Sequence, residues 1–272
     1  AGFTTVRDLG VKSSYGGYDI VLSLRKAIDL GLTIGPRLVV AGIVSGTAGH
    51  FDMSTPSWLR EESQLADGVL DVRKFVRKIV RDGFDLIKTS LSGGIAGELE
   101  EIWWRNYSDE ELLACVDEAH AFRKKVAIHA YTAEAIKRGL KAGVDTVEHG
   151  FPLDREAIDL FLKNKRILVP TLQVFLDKPT GYKSAVPPHA FKKTMAVATE
   201  CRESFTKACS AGVKIAFGTD LQINPPPARQ HGNNAFELEL MVKYGMTESD
   251  AIVAATKNGS EALGQENIIG TL

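Results

Sequence analysis

Short apolar runs that end in a polar residue recur along this chain, separated by stretches whose apolar positions repeat at helical spacing. The clearest unit is Val126 to Gly150. Val126, Ala127 and Ile128 lead into His129. A helical segment then runs to Gly143, where glycine takes the left-handed conformation that stops a helix. Thr146 and Val147 lead through Glu148 to His149. Strand, crossover helix and strand make the two strands parallel, which puts both histidines at one edge of a sheet. The same grammar brings Phe84, Leu86 and Ile87 to Lys88, and Val213, Ile215 and Phe217 to Asp220. Three more runs, Thr4 to Asp8, Arg37 to Gly42 and Ile167 to Thr171, complete predicted strands near residues 6, 40, 87, 128, 147, 169 and 217. Helical patterns fall at about 18–31, 69–82, 108–123, 132–142, 154–164, 189–211, 233–245 and 248–263. Ser108-Asp109-Glu110-Glu111 reads as a capping box and Thr247-Glu248-Ser249-Asp250 as a similar helix start.

Strands alternating with helices at this spacing predict an α/β fold with a parallel sheet. The length, 272 residues, suits a single (β/α)8 TIM-type barrel, and seven strands leave that barrel one short. The expectation is therefore one barrel domain over residues 1–272, holding strands 2 to 8 and incomplete at both ends. Ala1 to Asp8 begins mid-element with neither a signal peptide nor an initiator methionine, and Ile268 to Leu272 looks like the start of another strand. Three long loops, 45–68, 173–189 and 221–232, follow strand C-terminal ends, the active-site face of barrel enzymes.

Composition narrows the partners. The net charge of −1, from 33 basic and 34 acidic residues, suggests neither a nucleic-acid nor a membrane-surface partner. No apolar run approaches the roughly 20 residues needed to span a bilayer. Cys115, Cys201 and Cys209 are odd in number and sit in helical segments, which argues against a disulfide framework and for the cytoplasm.

Lys88, His129, His149 and Asp220 would ring one mouth of the barrel. Imidazoles and a carboxylate are ordinary ligands for zinc or a similar ion, and a bound metal lowers the pKa of its water to about 7. Asp220 could also act as the general base. A buried lysine can lose its charge; Lys88 would then add carbon dioxide to become a bridging carbamate, form a Schiff base, or simply pair with an acid. His120 reads as structural or exposed, His189 as a cap or surface residue, and His231 as a substrate contact on the active face. Trp103 and Trp104 read as a lid or as buried packing, and Arg7 with Asp8 as a local pair.

The stretches GFTTVRD (2–8), GPRLVVAG (35–42), IKTSLSGG (87–94), AIHAYT (127–132), AGVDTVEHG (142–150), VPTL (169–172), FGTD (217–220) and AATKNGSEALG (254–264) together resemble the amidohydrolase superfamily, in that family's order. The resemblance implies two divalent ions, with zinc the expected metal although manganese, cobalt and iron suit similar ligands. Lys88 would be the carboxylated bridge, His129 and His149 would bind the more exposed ion, and Asp220 would bind the other and shuttle protons. The family's first-strand His-X-His pair has no counterpart: none of the six histidines stand two apart. The resemblance places that strand, and part of a flanking β-domain, outside this chain. Lys88 with Ser92-Gly93-Gly94 and the run from His129 to Ile136 resemble the branch containing Xaa-Pro dipeptidases and enzymes acting on N-acyl amino acids. That branch implies cleavage of an amide next to a free carboxylate by metal-bound hydroxide. His50 matches a substrate-contacting position, and Tyr131 would bind the scissile carbonyl or the carboxylate, or else pack against the barrel rim. Hydrolysis of cyclic or aryl amides or ureas, deamination on the same scaffold, and an inactive barrel fragment stand as alternatives. The expected partner is a small-molecule amide or dipeptide, with neither nucleic acid nor membrane, and homo-oligomerisation is left open.

Overall fold

A computed structural model describes residues 2–10, 19–57, 65–178, 181–221 and 232–271. Six strands, β1 (Thr5–Asp8), β2 (Arg37–Ile43), β3 (Leu86–Ser90), β4 (Lys125–Ala130), β5 (Thr146–His149) and β6 (Ile167–Val169), form one sheet in chain order. Every neighbouring pair is parallel. The helices are α1 (Asp19–Asp29), α2 (His50–Met53), α3 (Val69–Arg81), α4 (Asp109–Ala121), α5 (Ala133–Ala142), α6 (Arg155–Asn164), α7 (Tyr182–Ala185), α8 (Pro188–Ala211), α9 (Phe236–Lys243), α10 (Glu248–Ala255) and α11 (Lys257–Leu263). This is a curled, partial TIM-type barrel.

Helix starts follow local chemistry. The Ser108 hydroxyl accepts from the Glu111 amide while the Glu111 carboxylate accepts from the Ser108 amide, the reciprocal cap expected there. The Thr247 hydroxyl caps α10, accepting from Asp250 N at 3.1 Å and donating to Asp250 Oδ2 at 2.7 Å. Gly143 ends α5 with φ +95°, a backbone state costly for other residues.

Period-two alternation sorts the strands into two faces. Val40, Ile87, Val126, Ile128, Val147 and Leu168 pack outward against the helices in the main core. Val39, Ala41, Leu86 and Ala127 form a second, smaller cluster on the concave face, joined by Leu9 and Leu263. Ile167, Val169, Ala216 and Ala262 continue it at the far end.

The segment near residue 217, expected as a seventh strand, makes one bridge only, Ile215 beside Leu168. Its inner edge bonds β6: Leu168 N donates to Lys214 O and Ala216 N to Leu168 O. Its outer edge is taken by helices, because Phe217 N donates to Ala254 O and Asn258 Nδ2 donates to Ile215 O at 2.8 Å. The helix expected over 248–263 is two helices, broken at Thr256 (φ −114°, ψ −84°), and that break delivers Asn258 to the sheet. Phe3 and Phe217 stack with ring centroids 5.2 Å apart, so the sheet curls until its first and last segments meet. Among the described residues no helix is long and apolar enough to cross a membrane.

Candidate functional site

Strand register decides which polar side chains share the concave face. Lys88 lies beside Ala127, His129 lies beside both Ser90 and Glu148, and all face inward with Leu86 and Ala127. His149 follows Glu148 and by alternation would face outward. Its backbone instead takes φ +68°, which turns the ring back over the concave face, 4.8 Å from His129 and edge-on to it. Thr171 (φ +49°) and Asp220 (φ +47°) share this left-handed backbone, which non-glycine residues adopt at a cost. Three positions that close apolar runs at one end of the sheet are thus strained.

Arg7 and Glu148 form the floor. Arg7 donates to both Glu148 oxygens at 3.0 Å and to Thr146 Oγ1 at 3.1 Å, with side chains 11% and 3% exposed. The expected local pairing of Arg7 with Asp8 does not occur, because neighbours on a strand point to opposite faces; Asp8 instead accepts from Gly10 N. Lys88 is buried close to this pair. Burial brings its pKa down from 10.5 to about 8; the charges of Glu148 and Asp220 oppose the shift and that of Arg7 adds to it.

His129 and His149 are buried, and burial drives both well below the usual imidazole value, reinforced by the charges of His50 and Lys88. Each has one ring nitrogen engaged. His129 Nε2 donates to Gly93 O at 3.1 Å, and His149 Nδ1 meets the Thr171 hydroxyl at 2.6 Å. The turn after Thr171 is held by Glu237 of α9, whose buried carboxylate accepts from Leu172 N at 2.6 Å and Gln173 N at 2.8 Å. Gln173 Nε2 reaches Thr219 O at 3.3 Å, next to exposed Asp220.

Tyr131 is buried in an aromatic box. Its ring lies 4.1 Å from His129, 4.8 Å from His149, 4.9 Å from Phe151 and 5.5 Å from Phe175. His50, on α2, stacks on His129 at 4.1 Å with 16° between the planes, and its Nδ1 lies 2.8 Å from Glu100 Oε2. The structure therefore gathers Lys88, His129, His149, His50 and Tyr131. Asp220 lies near enough for its charge to act on Lys88 and Glu237. His231 lies outside the described residues. His120 bonds Asp145 Oδ2 at 2.9 Å, His189 bonds Ala96 O at 3.0 Å, and Trp103 and Trp104 are exposed.

Among the described residues no group of three or more His, Cys, Asp or Glu side chains is gathered closely enough to hold a metal ion. The donor chemistry nevertheless suits one. Nε2–H of His129 on a carbonyl leaves its Nδ1 with the lone pair, the arrangement that orients metal-binding histidines, and the Thr171 hydroxyl fixes the His149 ring through Nδ1. Lys88 adds an amine that burial inclines toward neutrality.

Residues 1–272 match the sequence profile of the Amidohydrolase family. Ochratoxinase from Aspergillus niger is 30% identical over 284 residues, which take in 97% of this chain and 56% of that protein. The chain thus spans about half the length of this curated relative. A solved Xaa-Pro dipeptidase with methionine bound in its active site has 34% identity and a TM-score of 0.88, covering 99% of this chain and 66% of that one. A prolidase complexed with N-methylphosphonate-L-proline has 31% identity and a TM-score of 0.85, covering 100% and 66%.

Proposed function

The chain belongs to the amidohydrolase family, and from that premise we propose that it is a metal-dependent hydrolase of the amide bond in dipeptides or N-acyl amino acids. The observation that carries this reading is the meeting of Lys88, His129 and His149 at one end of the sheet, with both imidazoles neutral and each anchored through one nitrogen. Neutral imidazole is the form that binds metals. Lys88, His129, His149 and Asp220 are the residues that would hold two divalent ions, zinc being the expected metal. Lys88 would serve as a carbamate, its neutral amine adding carbon dioxide and releasing one proton to solvent. Bound ions of this kind polarise a carbonyl and acidify water.

The chain's own groups supply the rest. Asp220, exposed at the end of its segment, takes the proton from the attacking water and passes it to the leaving nitrogen. His50 and Tyr131, each with its ring 4.1 Å from that of His129, orient the scissile carbonyl and the substrate carboxylate. His231 is a further substrate contact. Phe151 and Phe175, both buried and packed edge-on to each other, shield Tyr131 and His149 from water. The named relatives, a Xaa-Pro dipeptidase and an ochratoxinase, support an amide as the substrate.

The test is hydrolysis of a panel of N-acyl amino acids and Xaa-Pro dipeptides by protein prepared with zinc and bicarbonate. Asp220→Asn should lower kcat by about 10²- to 10⁴-fold with KM little changed. A protein that binds metal yet hydrolyses neither class would contradict the proposal.

A further inference from the structure

Glu100 stands outside every metal-binding or proton-transferring role above, yet its side chain is only 1% exposed. It lies on the loop after β3, 50 positions from His50. Its carboxylate makes three short contacts. Oε1 accepts from Gly97 N at 2.6 Å, and Oε2 accepts from Gly94 N at 2.8 Å while lying 2.8 Å from His50 Nδ1. Backbone amides can only donate, so the carboxylate is acceptor to both. Burial alone would push its pKa up, but the bonds from His50, Gly97 and Gly94 win and hold it below the usual range. An ionised carboxylate has only acceptor atoms, so His50 must present Nδ1–H to it. Nε2 is then the atom left for the pocket.

The ring is fixed on its faces as well. One face stacks on His129. Gly94 crowds the ring so closely that a Cβ there would come 2.2 Å from His50 Cε1. The Glu100 loop is itself tied down, since Lys193 of α8 donates to Gly97 O at 2.8 Å and also to Glu100 O. His50 N donates to Asn106 Oδ1 at 3.0 Å.

We propose that Glu100 is a positioning residue: it holds the His50 ring through Nδ1–H and so aims Nε2 at the carbonyl side of an amide substrate. The proposal rests on the reading of His50 as a substrate contact. Without Glu100 the imidazole would be free to flip or to exchange tautomers, and a part-buried Nδ1 would lack its acceptor.

The first arm of the test needs no turnover. Long-range proton–nitrogen NMR of the full chain, with the His50 signals assigned through His50→Gln, reports which nitrogen carries the proton at a pH where the ring is neutral. The expected pattern is Nδ1–H in the wild type and mixed tautomers in Glu100→Ala. An Nε2–H ring in the wild type, or an unchanged pattern in a folded Glu100→Ala, would overturn the proposal. Should Glu100→Ala fail to fold, Glu100→Gln keeps the volume and a neutral acceptor, and the wild-type spectrum still decides.

The second arm is a double-mutant cycle on amide hydrolysis. Glu100→Ala should lower kcat by about 10- to 100-fold, the scale of losing a hydrogen bond to a charged group, and should add nothing in a His50→Ala background. An equal loss in that background would mean that Glu100 only staples the Gly94–Gly97 loop. A protein inactive on every amide but showing the Nδ1–H pattern would sink the functional reading while leaving Glu100's hold on His50 in place.

Discussion

Lys88 sits where a charge is least welcome, on the concave face beside a floor already neutralised by Arg7 and Glu148. Its amine falls from 10.5 to about 8 because burial outweighs the pull of the nearby acids. Between those values the unfolded chain holds more protons on this group than the folded one, so stability rises with pH across that window. Below it, the folded state carries the full cost of a buried ammonium. In buffer free of metal and bicarbonate, Lys88→Met should therefore be more stable than wild type at neutral pH, by on the order of 3 kcal/mol. The gap should close as pH rises toward 10.5. Denaturant titrations at several pH values check this, and a variant no more stable at neutral pH would contradict it. Thr171 poses a different trade, since a β-branched residue at φ +49° is strained but its hydroxyl anchors His149. Thr171→Ser should keep activity and Thr171→Val should lose about 10- to 100-fold, measured as kcat/KM on an N-acyl amino acid. Residues such as Lys88 and His129 are legible in the sequence because they close apolar runs. Glu100, Thr171 and the Arg7–Glu148 pair are not, because each acts on a partner 22 to 141 positions away.

Among the elements, β1 to β6 and the first six long helices follow from periodicity and caps, because each signal lies within a dozen residues or so. The two departures share one cause that no local pattern reveals. The 215–217 segment has strand composition, but its outer edge is bonded by α10 and α11 rather than by a strand. The backbone turn at Thr256 that splits the predicted last helix is what lets Asn258 reach Ile215 O. Replacing Asn258 with Ala would leave the carbonyl of buried Ile215 without its side-chain donor. Asn258→Ala should lower stability by about 1–2 kcal/mol in denaturant titration, while Asn258→Asp, acceptor-only when ionised, should be at least as damaging. A variant with unchanged midpoint would show that the helices hold this edge through packing alone.

At the scale of the whole molecule, the parallel half of a barrel collects chemistry at one end and leaves apolar surface elsewhere. Leu24, Leu30, Leu32 and Ile34 lie exposed around α1 and the loop that follows it. The family likeness extends over the entire chain, whereas the chain spans only 56% of ochratoxinase, so the residues brought together here are to be judged by what they bind. The most direct measurement is metal content per chain by elemental analysis, after purification with zinc and bicarbonate, for the wild type and Lys88→Ala. A centre bridged by carboxylated Lys88 predicts about two ions per chain in the wild type, a clear fall in Lys88→Ala, and a fall in wild type prepared without bicarbonate. About one ion or none, indifferent to both the substitution and bicarbonate, would contradict it.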